Sequence, residues 1–368
     1  MEPLLYAGIF GTFYAGLGVW LALHNFILGD ALSRVANAFY VLFSRDPHLE
    51  AIGFVWNPLP SFLEFPLVAL HFLWPPLATQ GVSANLISAA FGSVMLYYAA
   101  RLLIQFSLPR WVRLLALISL GTNPVLAFYA SNGMTEVMMI ATLLGSLFNL
   151  CAYIDSRDLR ALVFSSLWLA MGFLIRYEVV IWAVVETVIL ITVQLPVVKK
   201  NAADKKLQRL ISPMYSQEEQ TAGILLLWLS PLGYVATCWA FWNWSTMGDP
   251  LYFMNSIYGN AAQLKTVTAQ SGIQQTLQGN WVRSFVYVAN EVRLYPVVLL
   301  GFAFTLISLF SLKARTRLFG ALLLGSAAAI PVLQIGLLYK GASAGWMRYF
   351  ISYIPFGFLM VTYSLSLL

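Results

Sequence analysis

Residues 4–27 read LLYAGIFGTFYAGLGVWLALHNFI and contain no Asp, Glu, Lys or Arg. A helix needs about 20 predominantly apolar residues to cross the hydrocarbon core of a bilayer. This run is long enough to span, and too long for the apolar core of a signal peptide. No small-residue cleavage site follows it, so a retained first span is expected. The pattern recurs along the chain. Similar runs cover residues 83–106, 112–130, 134–154, 160–176, 179–198, 221–243, 295–312, 318–339 and 349–367. The sequence therefore predicts an all-α polytopic membrane protein of about ten transmembrane helices. It reads as a single domain over residues 1–368, with no soluble C-terminal domain after the last span.

Composition points the same way. The chain is 60% apolar and 10% charged, against about 25% charged in a soluble domain. That excludes an ordinary soluble enzyme, which needs charge to coat its surface, and equally a disordered chain. Cys151 and Cys238 both sit in apolar runs, so neither a disulfide framework nor a zinc site is expected. The net charge of +6 reads as membrane topology rather than as an attraction for nucleic acid.

The links between the runs fall into two sets. One is short and basic: Arg110 and Arg113; Arg157 and Arg160; Lys199, Lys200, Lys205, Lys206 and Arg209; and Lys313, Arg315 and Arg317. With Arg101 these hold 13 of the 21 basic residues. The other set comprises residues 28–82, Ser131–Thr135, Arg176–Glu178, residues 244–294 and residues 340–348. The positive-inside rule puts the first set, and with it the N-terminus, in the cytoplasm. The two long loops, 28–82 and 244–294, are then extracytoplasmic. So are the acids Asp30, Asp46, Glu50, Glu64, Glu136, Glu178, Asp249 and Glu291. Polar chemistry is expected on that face.

The first of these loops has internal structure. Residues 33–45 place Val35, Phe39, Leu42 and Phe43 on one helical stripe, with Arg34, Asn37 and Arg45 elsewhere. That predicts an amphipathic interfacial helix. Residues 61–74 are too short to span and predict a second interfacial or re-entrant helix, ended by Pro75 and Pro76. The second loop, rich in Asn, Gln, Tyr and Ser, suits a lid or a binding surface for a hydroxylated ligand. No internal repeat is visible, which disfavours an inverted-repeat transporter.

Several residues could carry chemistry, and each has a plainer reading. Asp30 follows the first run and could act as a base near apolar surroundings. The plainer reading is an N-cap of the interfacial helix, with an i,i+4 pair to Arg34. Arg176-Tyr177-Glu178 lies between two runs with almost no loop. Charges at that depth are paired or functional, and a local Arg–Glu pair would suffice. Glu136 opens the fourth span, where the helix dipole favours an acid and Thr135 or Ser131 could cap. Lys340 and Arg348 frame a small-residue segment and could hold a phosphate, or snorkel at helix ends. Arg348 is the better phosphate ligand because its guanidinium binds bidentately. Glu186 lies in mid-span, as a relay or as the partner of a neighbouring span. His24, His48 and His71 form no metal motif. A divalent cation would have to use Asp30, His48, Glu64 or Asp46, and no dedicated metal cage is expected. No Walker loop, dinucleotide fingerprint or nucleophile elbow is present.

Taken in order, these motifs form a pattern. Gly29-Asp30-Ala31 follows the first span, and Trp56-Asn57-Pro58-Leu59-Pro60 lies in the first loop. Met134-Thr135-Glu136 heads the fourth span, and Arg176-Tyr177-Glu178 makes a later link. Gly248-Asp249-Pro250 follows the seventh span, and Arg348-Tyr349 precedes the last. The pattern resembles the GT-C superfamily of membrane glycosyltransferases, in its protein O-mannosyltransferase and aminoarabinose-transferase branch. The resemblance implies a polyprenyl-phosphate sugar donor and transfer, usually with inversion, to a lipid, glycan or protein acceptor on the extracytoplasmic face. It implies Asp30 as the base, Arg348, Arg176 and Lys340 on the donor phosphate, and a prokaryotic plasma membrane. Arg34, Asn57, Glu64, Glu136, Tyr177, Glu178 and Asp249 would support them. Three departures stand out. Asp30 is followed by Ala31 where many relatives carry a second acid. Asn57 precedes Pro58 where the aminoarabinose branch has Lys. The C-terminal domain of some members is missing. The alternatives are a transporter or flippase, which needs polar groups at the bilayer midplane, and a non-catalytic subunit of the same fold.

Overall fold

The computed structural model describes residues 2–203, 217–257, 262 and 276–367. It is all-helical, with no strand among the described residues. In chain order the helices are α1 Glu2–Leu23, α2 Gly29–Phe43, α3 Leu59–Val68, α4 Pro76–Thr79, α5 Val82–Gln105, α6 Arg110–Gly121, α7 Pro124–Tyr129, α8 Glu136–Ser156, α9 Leu159–Ile175 and α10 Val180–Ala203. They continue with α11 Gln217–Met247, α12 Tyr252–Asn255, α13 Trp281–Arg293, α14 Pro296–Ser308, α15 Ala314–Tyr339 and α16 Tyr353–Leu365. Short 3-10 turns occupy Leu49–Ile52, Tyr177–Val179 and Met347–Phe350.

Among the described residues, α1, α5, α8, α11 and α15 are long and apolar enough to cross a bilayer. The bent pair α13–α14 makes a sixth candidate if it counts as one span. These are the helices of a multi-pass membrane protein, but fewer than the ten expected. The run 112–130 is broken, because Asn123 caps a new helix by accepting from the Val125 and Leu126 amides, and Pro124 occupies its first position. The run 160–176 gives a helix of 17 residues, and 295–312 and 349–367 give helices of 13 each. At 1.5 Å per residue, 13 residues reach only about 20 Å. Helix α10 is described by its side chains only to Val193, and Lys205, Lys206 and Arg209 lie outside the described residues.

The first loop folds as three helices. Helix α2 begins four residues earlier than expected and buries Ala31, Arg34, Val35, Ala38 and Val41. Arg34 is therefore on the covered face, not the polar one. Helix α3 ends at Val68 rather than Trp74. Pro75 and Pro76 do not end it but start α4, where a proline lacking its amide fits the first turn. In the second loop, residues 258–261 and 263–275 lie outside the described residues.

Helix α8 is the centre of the bundle, 78% buried over its apolar window, whereas α11 is 11% buried and peripheral. Helix α1 packs along α5, and α9 along α8. The close approach of α1 and α5 needs Gly92, where a Cβ would lie 2.8 Å from the Tyr14 ring. Glu136 and Asp155 sit near opposite ends of α8, about 28 Å apart along the axis. That is close to the thickness of a bilayer core. Asp155 takes two bonds from Arg315 at one end of the bundle. Mid-way, Glu186 accepts from Ser146 of α8 at 2.7 Å, which is the neighbouring-span partner the sequence allowed.

The Ser131–Thr135 link carries Glu136 to its place. Gly133 has φ +77°, and a Cβ there would lie 2.8 Å from the Cβ atoms of both Ala31 and Ala84. The link is thus wedged between α2 and α5, and it fixes Glu136 relative to Asp30. Gly133→Ala should lower stability by about 1–3 kcal/mol through strain and overpacking. Thermal unfolding in detergent measures this, and an unchanged Tm would show that the wedge is loose.

Candidate functional site

The charged residues at the α8 start come together in one connected network. Glu136 is 1% exposed. Its Oε1 accepts from Arg176 Nη1 at 3.2 Å and lies 3.9 Å from Arg348 Nε. Arg348 Nη1 donates to Asp30 Oδ2 at 3.1 Å. Arg176 Nε and Nη2 donate to the two oxygens of Glu178 at 2.7 and 2.8 Å. Asp30, Arg348, Glu136, Arg176 and Glu178 form a continuous chain, although Asp30 and Arg348 are 318 positions apart.

Each helix end explains one member. The plainer reading of Asp30 fails, because Leu28 is the N-cap of α2 and Arg34 donates to the Asp30 backbone oxygen rather than to its carboxylate. The carboxylate, in the first turn, is left for Arg348. Thr135 is the N-cap of α8 but makes no capping bond, and the Ser131 hydroxyl has no partner, so Glu136 turns to the guanidinium groups instead. Arg176 ends α9 with an extended backbone, φ −150°, which sends its side chain back across the bundle end. The local Arg176–Glu178 pair is present, and Glu136 extends it.

Arg176 and Arg348 differ in what they have left to give. A guanidinium has five N–H groups. Arg176 makes four bonds, to Glu178 twice, Glu136 and Thr135. Burial opposes its charge, but Glu178 and Glu136 outweigh burial and raise its pKa well above the ordinary guanidinium value. Arg348 is 23% exposed, and its Nε is buried without a hydrogen-bond partner. It lies over the Trp346 ring at 4.4 Å. Arg176 is thus a structural cation, and Arg348 the one with donors to spare.

Beneath the network Arg34 and Glu64 are both buried. Burial lowers the Arg34 pKa, and Glu136 and Asp30 oppose that effect. Arg34 also stacks over Trp56 at 5.4 Å. Burial pushes the Glu64 carboxyl up to about 8, with Arg34 pulling the other way, and Glu64 Oε2 has no hydrogen-bond partner. At neutral pH Glu64 is therefore mostly uncharged. The remaining charges balance, with Asp30, Glu136 and Glu178 against Arg34, Arg176 and Arg348.

Two clefts touch the Met347–Phe350 turn that carries Arg348, one at Tyr349 and the other at Met347. One of about 100 Å³ is lined by Tyr177, Glu178, Gln334, Ser343 and Tyr349, among others. The other, of about 180 Å³, is lined mostly by apolar groups, including Met347, Tyr353, Ile354 and Phe358. It opens where α13 and α14 meet at 100°. The sequence did not single out Trp346, Gln334 or Ser343. Trp346 beside Arg348 was a readable cation–π signal, whereas Gln334 and Ser343, bonded at 2.6 Å, needed the tertiary structure.

The other expected site residues lie apart. Asn57 is buried and donates to the Phe173 carbonyl, which pins the first loop to α9. Asp249 accepts from the Leu251 amide and from Asn255, so it organises its own turn. Lys340 is exposed at the end of α15 and forms no ion pair among the described residues. The cation candidates Asp30, His48, Glu64 and Asp46 do not form one group among the described residues. His48 bonds the Asp46 backbone on an exposed loop, Glu64 is buried beside Arg34, and no group of three His, Cys, Asp or Glu able to hold a metal exists among the described residues. Comparison with protein families, with curated proteins and with solved structures finds no match to this chain.

Two outcomes follow from the network. Removing one partner of a buried charge pair strands the other, so Glu136→Ala should cost about 3–5 kcal/mol, read as a lower Tm. An unaltered Tm would mean that Glu136 holds nothing together. Glu64 keeps its proton in the native state between about pH 4.5 and 8, whereas the unfolded chain releases it. Its contribution to stability is therefore greatest below pH 4.5 and is lost as pH rises to about 8. Glu64→Gln should flatten that slope without lowering Tm at pH 8. A slope identical to the wild type's would place the titration elsewhere.

Proposed function

We propose that the chain is an integral membrane glycosyltransferase, which moves a sugar from a polyprenyl-phosphate donor to a hydroxyl acceptor with inversion. The observation that carries this reading is the direct contact of Asp30 with Arg348, 3.1 Å apart at one end of a membrane bundle. The reaction needs that pair of opposite charges. The acceptor oxygen attacks the anomeric carbon and gives its proton to the Asp30 carboxylate. The bond from the anomeric carbon to the phosphate oxygen breaks, and the phosphate leaves with one more negative charge. Donors fixed in advance stabilise that charge most effectively.

Asp30 is suited to the base role because only its Oδ2 is engaged and its side chain is 32% exposed. Arg348 is suited to the phosphate because its side chain is 23% exposed, whereas Arg176 spends four bonds on Glu178, Glu136 and Thr135. Arg176 acts through Glu136 and Glu178, as a positioning residue rather than as a phosphate ligand. Lys340 is a peripheral cation. Inversion puts base and leaving group on opposite sides of the anomeric carbon, so the Asp30–Arg348 pair opens as the donor enters. The apolar cleft beside Met347 suits the isoprenoid tail, and the cleft beside Tyr349 suits a hydroxylated group. The site faces the extracytoplasmic side in this reading, with the N-terminus in the cytoplasm, which the distribution of Lys and Arg supports.

Asp30→Asn should lower transfer by about 100- to 10,000-fold while the protein still inserts. Arg348→Ala should lower it as severely, and Lys340→Ala should change it little. Purified variants assayed with a radiolabelled polyprenyl-phosphate sugar decide the matter. Full transfer by the Asp30→Asn protein would sink the mechanism. No transfer by the wild type with any such donor would return the chain to the transporter or non-catalytic alternatives.

A further inference from the structure

The opposite end of the bundle carries a second built feature. Helices α1 and α6 are tied together at two levels. Near their N-terminal ends Arg113 makes a bidentate pair with Glu2, at 3.1 and 2.7 Å. Further along, the Tyr14 hydroxyl donates to the Gly121 carbonyl at 2.8 Å, and the Phe10 ring lies against Gly121 where a Cβ would be 2.6 Å away. Between these ties the helices part and leave a groove of about 750 Å³. Leu5, Ile9, Leu114 and Ile118 line it, and all four are exposed. From Arg110 to Ile118 it runs about 12 Å along α6. Because both ends are clamped, the groove is formed in advance and does not depend on what enters it.

Its mouth is charged on one side only. Arg110 lines the groove and is exposed, with Trp111 beside it. Arg113 is neutralised by Glu2, but Arg110 forms no ion pair among the described residues. Arg157 and Arg317 belong to this same end of the bundle and form no ion pair among the described residues, so the surroundings are basic. Tryptophan and arginine at a helix end mark the headgroup level of a bilayer. The shape fits an acyl chain, and the charge fits a phosphate above it.

We propose that this groove is a binding site for an anionic phospholipid, with one acyl chain between α1 and α6 and the headgroup phosphate on Arg110. The site is some 30 Å from Arg348, since α1 separates the two ends. It therefore stands whether or not the chain transfers sugar. One basic side chain near a membrane surface contributes about 1 kcal/mol of attraction to anionic lipid, or about fivefold in affinity.

The full chain, purified in detergent and titrated with dioleoyl phosphatidylglycerol or dioleoyl phosphatidylcholine, reports this by native mass spectrometry. The wild type should retain the anionic lipid about fivefold more strongly. Arg110→Ala should erase that preference and keep the weaker binding common to both lipids. Ile118→Trp fills the groove and should release both, and Leu114→Trp repeats the test should the first variant fold poorly. Equal retention of the two lipids by the wild type overturns the proposal, as does a preference that survives in Arg110→Ala. A dimer that Ile118→Trp splits would give the groove to a second copy and overturn it too.

Discussion

A carboxylate buried at the head of the central helix has to be matched by positive charge, because an isolated ion in a medium of low dielectric is prohibitively unstable. Glu136 meets that requirement with a single oxygen placed between two guanidinium groups. The two come from distant segments, the end of α9 and the turn before α16. Their remaining donors draw in Glu178 and Asp30. One buried charge thus determines where four others stand, and with them the bundle end at which α2, α8, α9 and α16 begin or finish.

The network closes electrically only because Glu64 keeps its proton. Were it ionised, the group would hold four acids against three guanidinium groups, with Arg34 and Glu64 both deep in the fold. Its neutrality leaves the balance at zero before any ligand arrives. In the proposed reaction a donor phosphate would add charge for a cation with spare donors, and the bonding of Arg176 leaves Arg348 for that role.

Much of this was readable from the residues, for physical reasons. Charges cannot sit in lipid, so links with acids and links with excess Arg and Lys sort to opposite ends. That sorting placed Asp30, Glu136, Arg176, Glu178 and Arg348 on one side before any contact was known. Which of them touch was not readable, because Asp30 has an equally good local partner four residues away in Arg34. The burial of Arg34 was hidden because a helical stripe shows periodicity but not what covers it. Among the described residues fewer helices are long enough to span than expected, where apolarity outweighed punctuation. Asn123-Pro124 is a helix start in plain sight, yet it lies within a continuously apolar run. His48 and Glu64 share a loop in sequence, but α3 buries one while the other stays on an exposed turn.

The separation of Asp30 from Arg348 along the chain also sets an order of assembly. Helix α2 is made well before the turn that carries Arg348, which follows Asp30 by 318 positions. Until that turn emerges, Asp30 has no guanidinium for its carboxylate, and Glu136 has Arg176 alone. A nascent chain that lacks this turn therefore holds an unfinished cluster of acids. Arrival of the turn that carries Arg348 neutralises the cluster, so the charge network closes only after the helices that hold its other members have been made.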